Sequence, residues 1–124
     1  MNRIESIQEI RLLDGAVQYA NSKIWKPFVN SVDNRTEGGL LELSDVGKYI
    51  RINSSSDVTV TIPNLNFPIG SSIVFEQAGE GTITISSSVE TINGGPVSSG
   101  QYKCIQLVKV DIKTWTVIGG EDAI

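Results

Sequence analysis

The chain has 124 residues, a formal net charge of −4 and no histidine. Its length fits one domain, with room for an arm. The acidic balance and the lack of a basic cluster argue against nucleic-acid binding, which needs concentrated Lys and Arg. No apolar run approaches the roughly 18 residues of a membrane-spanning helix. The first residues also lack the apolar core of a signal peptide. We therefore expect a protein made in a cytoplasm, without membrane insertion and without export by the general route.

The N-terminal residues carry a short apolar stripe. Ile4, Ile7, Ile10 and Leu13 recur every three residues with charged residues between them. This spacing favours a short helix with one apolar face. A strand is the competing interpretation, because isoleucine is β-branched and Asp14-Gly15 is a turn signal. We expect a short helix or an extended arm that becomes ordered on a partner. A free helix of three turns is marginal in water, so either form needs a surface on which to dock.

Two large aromatic residues, Trp25 and Phe28, follow this stripe. They either pack in the core or anchor the arm on a neighbouring subunit, since aromatic residues are enriched at interfaces. The stretch Asn30–Gly39 is polar and ends in two glycines, which is typical of a linker. The sequence therefore predicts an arm and linker at residues 1–38 and a β module at residues 39–124.

The stretch Leu40–Ile62 contains two runs that alternate between apolar and polar residues, a pattern typical of half-buried strands. In Tyr49–Asn53 the isoleucines share one face, and in Asp57–Ile62 the two valines and the isoleucine do. Asn53–Ser56 joins the runs with side chains that favour turns. The pattern predicts a β-hairpin.

Further short strands are predicted to the end of the chain, with prolines and glycines between them. They are Ser72–Gln77, Thr82–Ser86, Thr91-Ile92, Tyr102–Val110, which we expect to be buried on both faces, and Thr114–Ile118. Such a series predicts an all-β fold, a small antiparallel β-sandwich or flattened barrel of seven or eight strands. The predicted core comprises Ile50, Ile52, Val58, Val60, Ile62, Ile73, Phe75, Ile83, Ile85, Ile105, Leu107, Trp115 and Val117.

The sequence offers little material for catalysis or metal binding. With one cysteine and no histidine, a zinc site is nearly excluded and the commonest general base is missing. We expect Cys104 to be a small buried residue, since a nucleophile would need an activating base. The carboxylates are spaced singly and are expected on the solvated surface: Asp45, Asp57, Glu76, Glu80, Glu90 and Asp111. Asp45 could also cap a local turn. We predict no catalytic, cofactor-binding or metal-binding residues.

The order of elements from Leu41 to Asp122 resembles a module that recurs in virion proteins of tailed bacteriophages. The likeness is carried by Leu43–Ser54, Val58–Pro63, Phe67–Ser71, Gln77–Gly81 and Thr114–Gly120. The resemblance implies a compact β domain on head-surface, tail-fibre or baseplate proteins, often as a homotrimer. Residues 1–38 lie outside it.

The resemblance implies a non-enzymatic virion structural protein, made in the host bacterial cytoplasm, whose partners are capsid or tail proteins. A capsid decoration or head-fibre protein is the leading hypothesis, because a tail fibre with a shaft needs a longer chain. The alternative is a tail-fibre or baseplate component that binds a host-surface glycan or protein, and a hydrolytic enzyme is disfavoured. Candidate residues for attachment to the particle or within the trimer are Ile4, Ile7, Ile10, Leu13, Trp25 and Phe28.

Overall fold

The computed structural model describes residues 29–122, and this part of the chain is all-β. It contains nine strands: β1 Ser31–Arg35, β2 Gly39–Leu40, β3 Lys48–Ile52, β4 Val58–Thr61, β5 Ser72–Gln77, β6 Ile83–Ser86, β7 Thr91–Asn93, β8 Cys104–Asp111 and β9 Thr114–Ile118. A 3₁₀ turn, Leu43–Asp45, precedes β3.

The strands form two sheets. One sheet has six strands in the order β1-β3-β5-β8-β9-β7, and the other has three in the order β2-β4-β6. From β1 to β6 the chain alternates between the sheets, and each new strand lies parallel to the one two before it. The chain thus winds through three stacked coils of unequal length, since Ser31 pairs with Lys48 but Tyr49 pairs with Val74. The β8–β9 hairpin then adds to β5 in the antiparallel sense.

This topology corrects two predictions. Among the described residues, five of the seven strand pairings are parallel, so the predicted antiparallel arrangement is wrong. The predicted hairpin across Leu40–Ile62 is also wrong, because β3 and β4 lie in different sheets. The polar turn between them carries the chain from one sheet to the other. Gly81 packs directly on this turn, where an added Cβ would lie 2.0 Å from the Ser56 carbonyl oxygen.

The core lies between the two sheets and confirms the alternation read from the sequence. Twelve of the thirteen predicted core residues belong to one buried cluster, and Val58 packs partly buried against it. The cluster also contains Leu41 and Phe67, which the sequence did not assign to it. Phe67 lies in a loop and packs edge-on against Trp115, with ring centroids 5.3 Å apart.

The β8 strand differs from its prediction. It is not buried on both faces: Ile105 and Leu107 point into the core, while Cys104 on the opposite face is exposed. The expectation that Cys104 is buried is therefore wrong. Most side chains on this face are partly or largely exposed, and Val74 on β5 is buried.

The first strand lies in the stretch predicted to be a linker. β1 pairs with β3 over five positions, so the predicted boundary between residues 38 and 39 falls inside the module. The register places Asp33 beside Ile50 and Arg35 beside Ile52. The inward positions of β1 are thus charged. Because strands are recognised in a sequence by alternating apolar and polar residues, β1 could not be recognised in this way.

Candidate functional site

The six candidate attachment residues, Ile4, Ile7, Ile10, Leu13, Trp25 and Phe28, all lie outside the described residues. Within residues 29–122, polar side chains come together in four places. They are a charged network beside β1, a polar row on the open face of the six-stranded sheet, a groove beside β6, and a buried ion pair near Trp115. Sequence reasoning predicted none of them, because each joins residues that are far apart in the chain.

The charged network, here called the end network, consists of Asp33, Arg35, Asp45 and Lys48. The Arg35 guanidinium donates to Asp33 Oδ2 at 2.9 Å and to Asp45 Oδ1 at 2.8 Å. The Lys48 ammonium lies 3.1 Å from Asp33 and 3.5 Å from Asp45. These charges face the core side of the first coil. Inward-pointing charges on an edge strand oppose unwanted pairing with other chains.

Asp45 is the buried member of the end network, with 2% of its surface exposed. Its Oδ2 accepts the Glu42 backbone N–H at 3.0 Å, which confirms the predicted capped turn but not a solvated carboxylate. Burial alone would raise the pKa of Asp45, yet the Glu42 N–H and the Arg35 guanidinium outweigh it and hold the pKa below its usual value. Asp45 is therefore a structural anion.

A polar row crosses four strands on the face of the six-stranded sheet that points away from the core, here called the outer face. Arg51 Nε donates to Glu76 Oε1 at 3.0 Å, and Arg51 Nη1 reaches Asn34 at 3.3 Å. The Tyr49 hydroxyl lies 2.8 Å from the same Glu76 oxygen and 3.2 Å from Cys104 Sγ. Glu76 is thus paired rather than free on the solvated surface.

This row brings Cys104 close to the two groups that could act as its base, Tyr49 and Glu76. Neither is suited to remove the thiol proton. The hydrogen bond from Arg51, with a second from Tyr49, lowers the pKa of Glu76. The contact with Cys104, together with burial and Glu76, raises the pKa of Tyr49. Glu76 is a weak base because its pKa is lowered, and Tyr49 does not ionise readily because its pKa is raised. Neither group activates Cys104 as a nucleophile. We therefore interpret the row as cross-strand pairing that stabilises the sheet.

A groove of about 660 Å³ lies beside β6, here called the polar groove. Four carboxylates line it, and no described Lys or Arg forms an ion pair with any of them: Asp57, Glu80, Glu121 and Asp122. The Gln77 side chain at its floor is buried and donates to two backbone carbonyl oxygens. Ser98 Oγ donates to Gln77 Oε1 at 2.6 Å and accepts the Ile83 N–H. The floor is therefore internally hydrogen-bonded, and the rim offers carboxylate, amide and hydroxyl groups.

A buried ion pair lies against the core at Trp115. Lys109 is 4% exposed, and its Nζ is 3.8 Å from Glu90 Oε1 and 5.9 Å from the centre of the Trp115 ring. Trp115 Nε1 donates to the same Glu90 oxygen at 3.0 Å. The Glu90 side chain, predicted to be solvated, is 4% exposed. The Trp115 N–H is thus hydrogen-bonded, while Lys109 and Glu90 compensate each other's charge at a distance too long for a hydrogen bond.

The predictions for the remaining carboxylates hold, since Asp57, Glu80 and Asp111 are exposed. Among residues 29–122, no group of three or more Asp, Glu or Cys side chains is arranged to hold a metal ion. In the same residues, no helix is long and apolar enough to cross a membrane.

Comparison with known proteins returned no match to a family model. A search of curated proteins likewise gave no significant match.

Proposed function

We propose that the chain is a non-enzymatic structural protein of a tailed-bacteriophage virion, made in the host cytoplasm, and specifically a capsid decoration or head-fibre protein. Residues 1–28 attach it to the particle, and three copies associate as a homotrimer. The resemblance of residues 41–122 to phage virion modules supports this proposal. The end network, the polar row and the Lys109–Glu90 pair add support, because their charged groups are engaged in pairs within the fold.

One structural observation carries the attachment model. β1 is the edge strand of the six-stranded sheet among the described strands, and it begins at Ser31, three positions after residue 28. An edge strand supports the attachment model, because no described strand covers its outer side and a partner has access to it there. Burial of the apolar stripe in residues 1–28 contributes about 25 cal/mol per Å², enough over four residues to hold a short segment on a partner.

Within the all-β class, we propose a short two-sheet β-solenoid closed by the β8–β9 hairpin, in place of a sandwich or flattened barrel. The parallel coils from β1 to β6 support this architecture. A solenoid needs a polar cap on its terminal coil to remain soluble, and the end network supplies charged groups at that position.

The experiment compares two chains for binding to particles that lack this protein. The full chain should bind, whereas a chain beginning at residue 29 should remain β-folded by circular dichroism and fail to bind. Equal binding by both chains would refute the attachment model. A monomer by light scattering at micromolar concentration would refute the trimer, and absence of the protein from purified virions would refute the proposal as a whole.

The second candidate is a tail-fibre or baseplate component that binds a host-surface glycan, and the polar groove favours it. Carboxylate, amide and hydroxyl groups at an open rim suit hydrogen bonding to sugar hydroxyls. Gln101→Ala should then weaken binding to polysaccharide extracted from the host, whereas Lys113→Ala, outside the groove lining, should not. Undiminished binding by the Gln101 variant would argue against this candidate.

A further inference from the structure

One asparagine of the chain is followed directly by glycine. Asn93 is the last residue of β7, and Gly94 begins the turn that leaves this strand. The side-chain amide of an asparagine can be attacked by the backbone nitrogen of the next residue, and glycine hinders this attack least because it has no Cβ. Asn93-Gly94 is the only Asn-Gly pair in the sequence. It is therefore the position where the sequence most favours spontaneous loss of ammonia.

The fold leaves the reacting groups of this pair accessible. Ile92 packs against the core, so its neighbour Asn93 points to the outer face, where it is exposed. Gly94 is exposed as well, and its φ of +86° is a conformation that glycine adopts without steric cost. Among residues 29–122, no backbone carbonyl oxygen accepts a hydrogen bond from the Gly94 N–H. The nitrogen that would attack the Asn93 side chain is thus not held by a backbone hydrogen bond.

Two other exposed asparagines show the opposite arrangement. Asn64 and Asn66 lie in the loop between β4 and β5. The Leu65 N–H donates to the Pro63 carbonyl oxygen at 2.9 Å, and the Phe67 N–H donates to the Leu65 carbonyl oxygen at 3.0 Å. The nitrogens that would attack these two side chains are therefore engaged, and both belong to residues with a Cβ. Exposure of an asparagine alone does not create the arrangement found at the end of β7.

We propose that Asn93 is a site of spontaneous deamidation in the folded chain. Hydroxide removes the proton of the Gly94 N–H, the nitrogen bonds to Asn93 Cγ, and the bond from Cγ to the side-chain nitrogen breaks. That nitrogen takes up a proton from water and leaves as ammonia. Water then opens the cyclic imide at either of its carbonyl carbons, which gives aspartate or isoaspartate at position 93. No electrons are transferred, and water and hydroxide are the only co-reactants.

The products alter the edge of the six-stranded sheet. Both add a negative charge to the outer face, and isoaspartate also inserts an extra carbon atom into the main chain. β7 pairs with β9 over only three positions, and Asn93 is the last of them. Directly after it, a Cβ on Gly94 would lie 2.4 Å from the Val117 carbonyl oxygen. The chain has no room there for extra length, so isoaspartate should detach β7 from β9 and Ile92 from its place beside Trp115.

The experiment incubates the full chain in mildly alkaline buffer and assigns mass changes to single residues by tandem mass spectrometry. Asn93 should gain the mass difference between an amide and an acid, while Asn64 and Asn66 stay unchanged. Leu65→Gly is the matched control, because it places glycine after an exposed asparagine at a position whose N–H is hydrogen-bonded. In this variant Asn64 should convert more slowly than Asn93.

A second readout follows the thermal midpoint during the incubation. The wild-type midpoint should fall as isoaspartate accumulates. Asn93→Gln should keep its initial midpoint, because the longer side chain would have to close a larger and less favourable ring.

Three results would overturn the inference. If Asn93 converts in urea but not in the folded chain, the fold protects it. If Asn64 converts as fast as Asn93 in the Leu65→Gly variant, the free Gly94 N–H does not set the rate. If isoaspartate accumulates without a change in the thermal midpoint, β7 tolerates the longer main chain. None of these results bears on the proposed virion function, because all of them concern the isolated chain.

Discussion

The end network makes Asp45 the most informative position for a single substitution. Asp45→Ala removes the acceptor of the Glu42 N–H and the buried partner of Arg35. The hydrogen bond to the charged carboxylate is worth about 1.5–3 kcal/mol. The Arg35 pair adds about 0.5–1 kcal/mol, because the arginine is partly exposed and screened by water. We therefore expect Asp45→Ala to lower the free energy of unfolding by about 3 kcal/mol.

Asp45→Asn separates the charge from the hydrogen bond. The amide oxygen can still accept the Glu42 N–H, so we expect a smaller loss of about 1–2 kcal/mol. Because the folded-state pKa of Asp45 lies below its ordinary value of 3.8, its stabilising contribution is complete at neutral pH and is lost as the pH falls through that folded pKa. The stability difference between wild type and Asp45→Asn should therefore shrink on acidification below about pH 4.

The assay is urea denaturation followed by tryptophan fluorescence, since Trp115 is fully buried. With a urea m-value of about 1–3 kcal/mol/M, the Asp45→Ala midpoint should fall by about 1–3 M. Glu80→Gln is the control, because Glu80 is exposed and makes no ion pair with any described residue. It should change stability by less than about 0.5 kcal/mol. If Asp45→Ala behaves like this control, the end network does not stabilise the fold.

Three further predictions concern packing and boundaries. Phe67→Ala should lower the free energy of unfolding, measured by chemical denaturation, by about 3–5 kcal/mol, because it opens a cavity beside Trp115. An unchanged free energy of unfolding would show that Phe67 is not part of the core. Gly81→Ala should lower the free energy of unfolding by more than about 2 kcal/mol, because its Cβ would meet the Ser56 backbone. A wild-type urea midpoint would contradict the packing of Gly81 on the turn that contains Ser56. A chain beginning at residue 29 should melt cooperatively, whereas one beginning at residue 39 lacks β1 and should melt at a lower temperature; equal melting would restore the predicted linker.

The sequence predicted the strands well but not their partners. Alternation at Ile50 and Ile52 identifies a half-buried strand, because side chains of a strand point to opposite faces in turn. The same pattern says nothing about which strand lies beside it. A turn such as Asn53–Ser56 can either reverse the chain within one sheet or carry it to another sheet. The sequence therefore could not distinguish the predicted hairpin from the observed crossing.

The polar clusters were missed for a related reason. The row on the outer face joins Asn34 to Cys104, and its members become neighbours only when the register of all four strands is known. β1 was missed because Asp33 and Arg35 occupy inward positions that are normally apolar. In the fold, Asp45 compensates the charge of Arg35 and Lys48 compensates that of Asp33. The sequence does not reveal these pairs, because the partners are ten and fifteen residues apart.

The β8–β9 hairpin also has a consequence for how the chain matures during synthesis. It supplies Ile105, Leu107, Trp115 and Val117 to the buried cluster, and it pairs with β5, made some thirty residues earlier. A nascent chain that ends after β6 would therefore expose the core faces of its coils to water. On the ribosome, the coils must wait for this hairpin to emerge before a closed core can form, so the module should be most susceptible to proteases and chaperones during that interval.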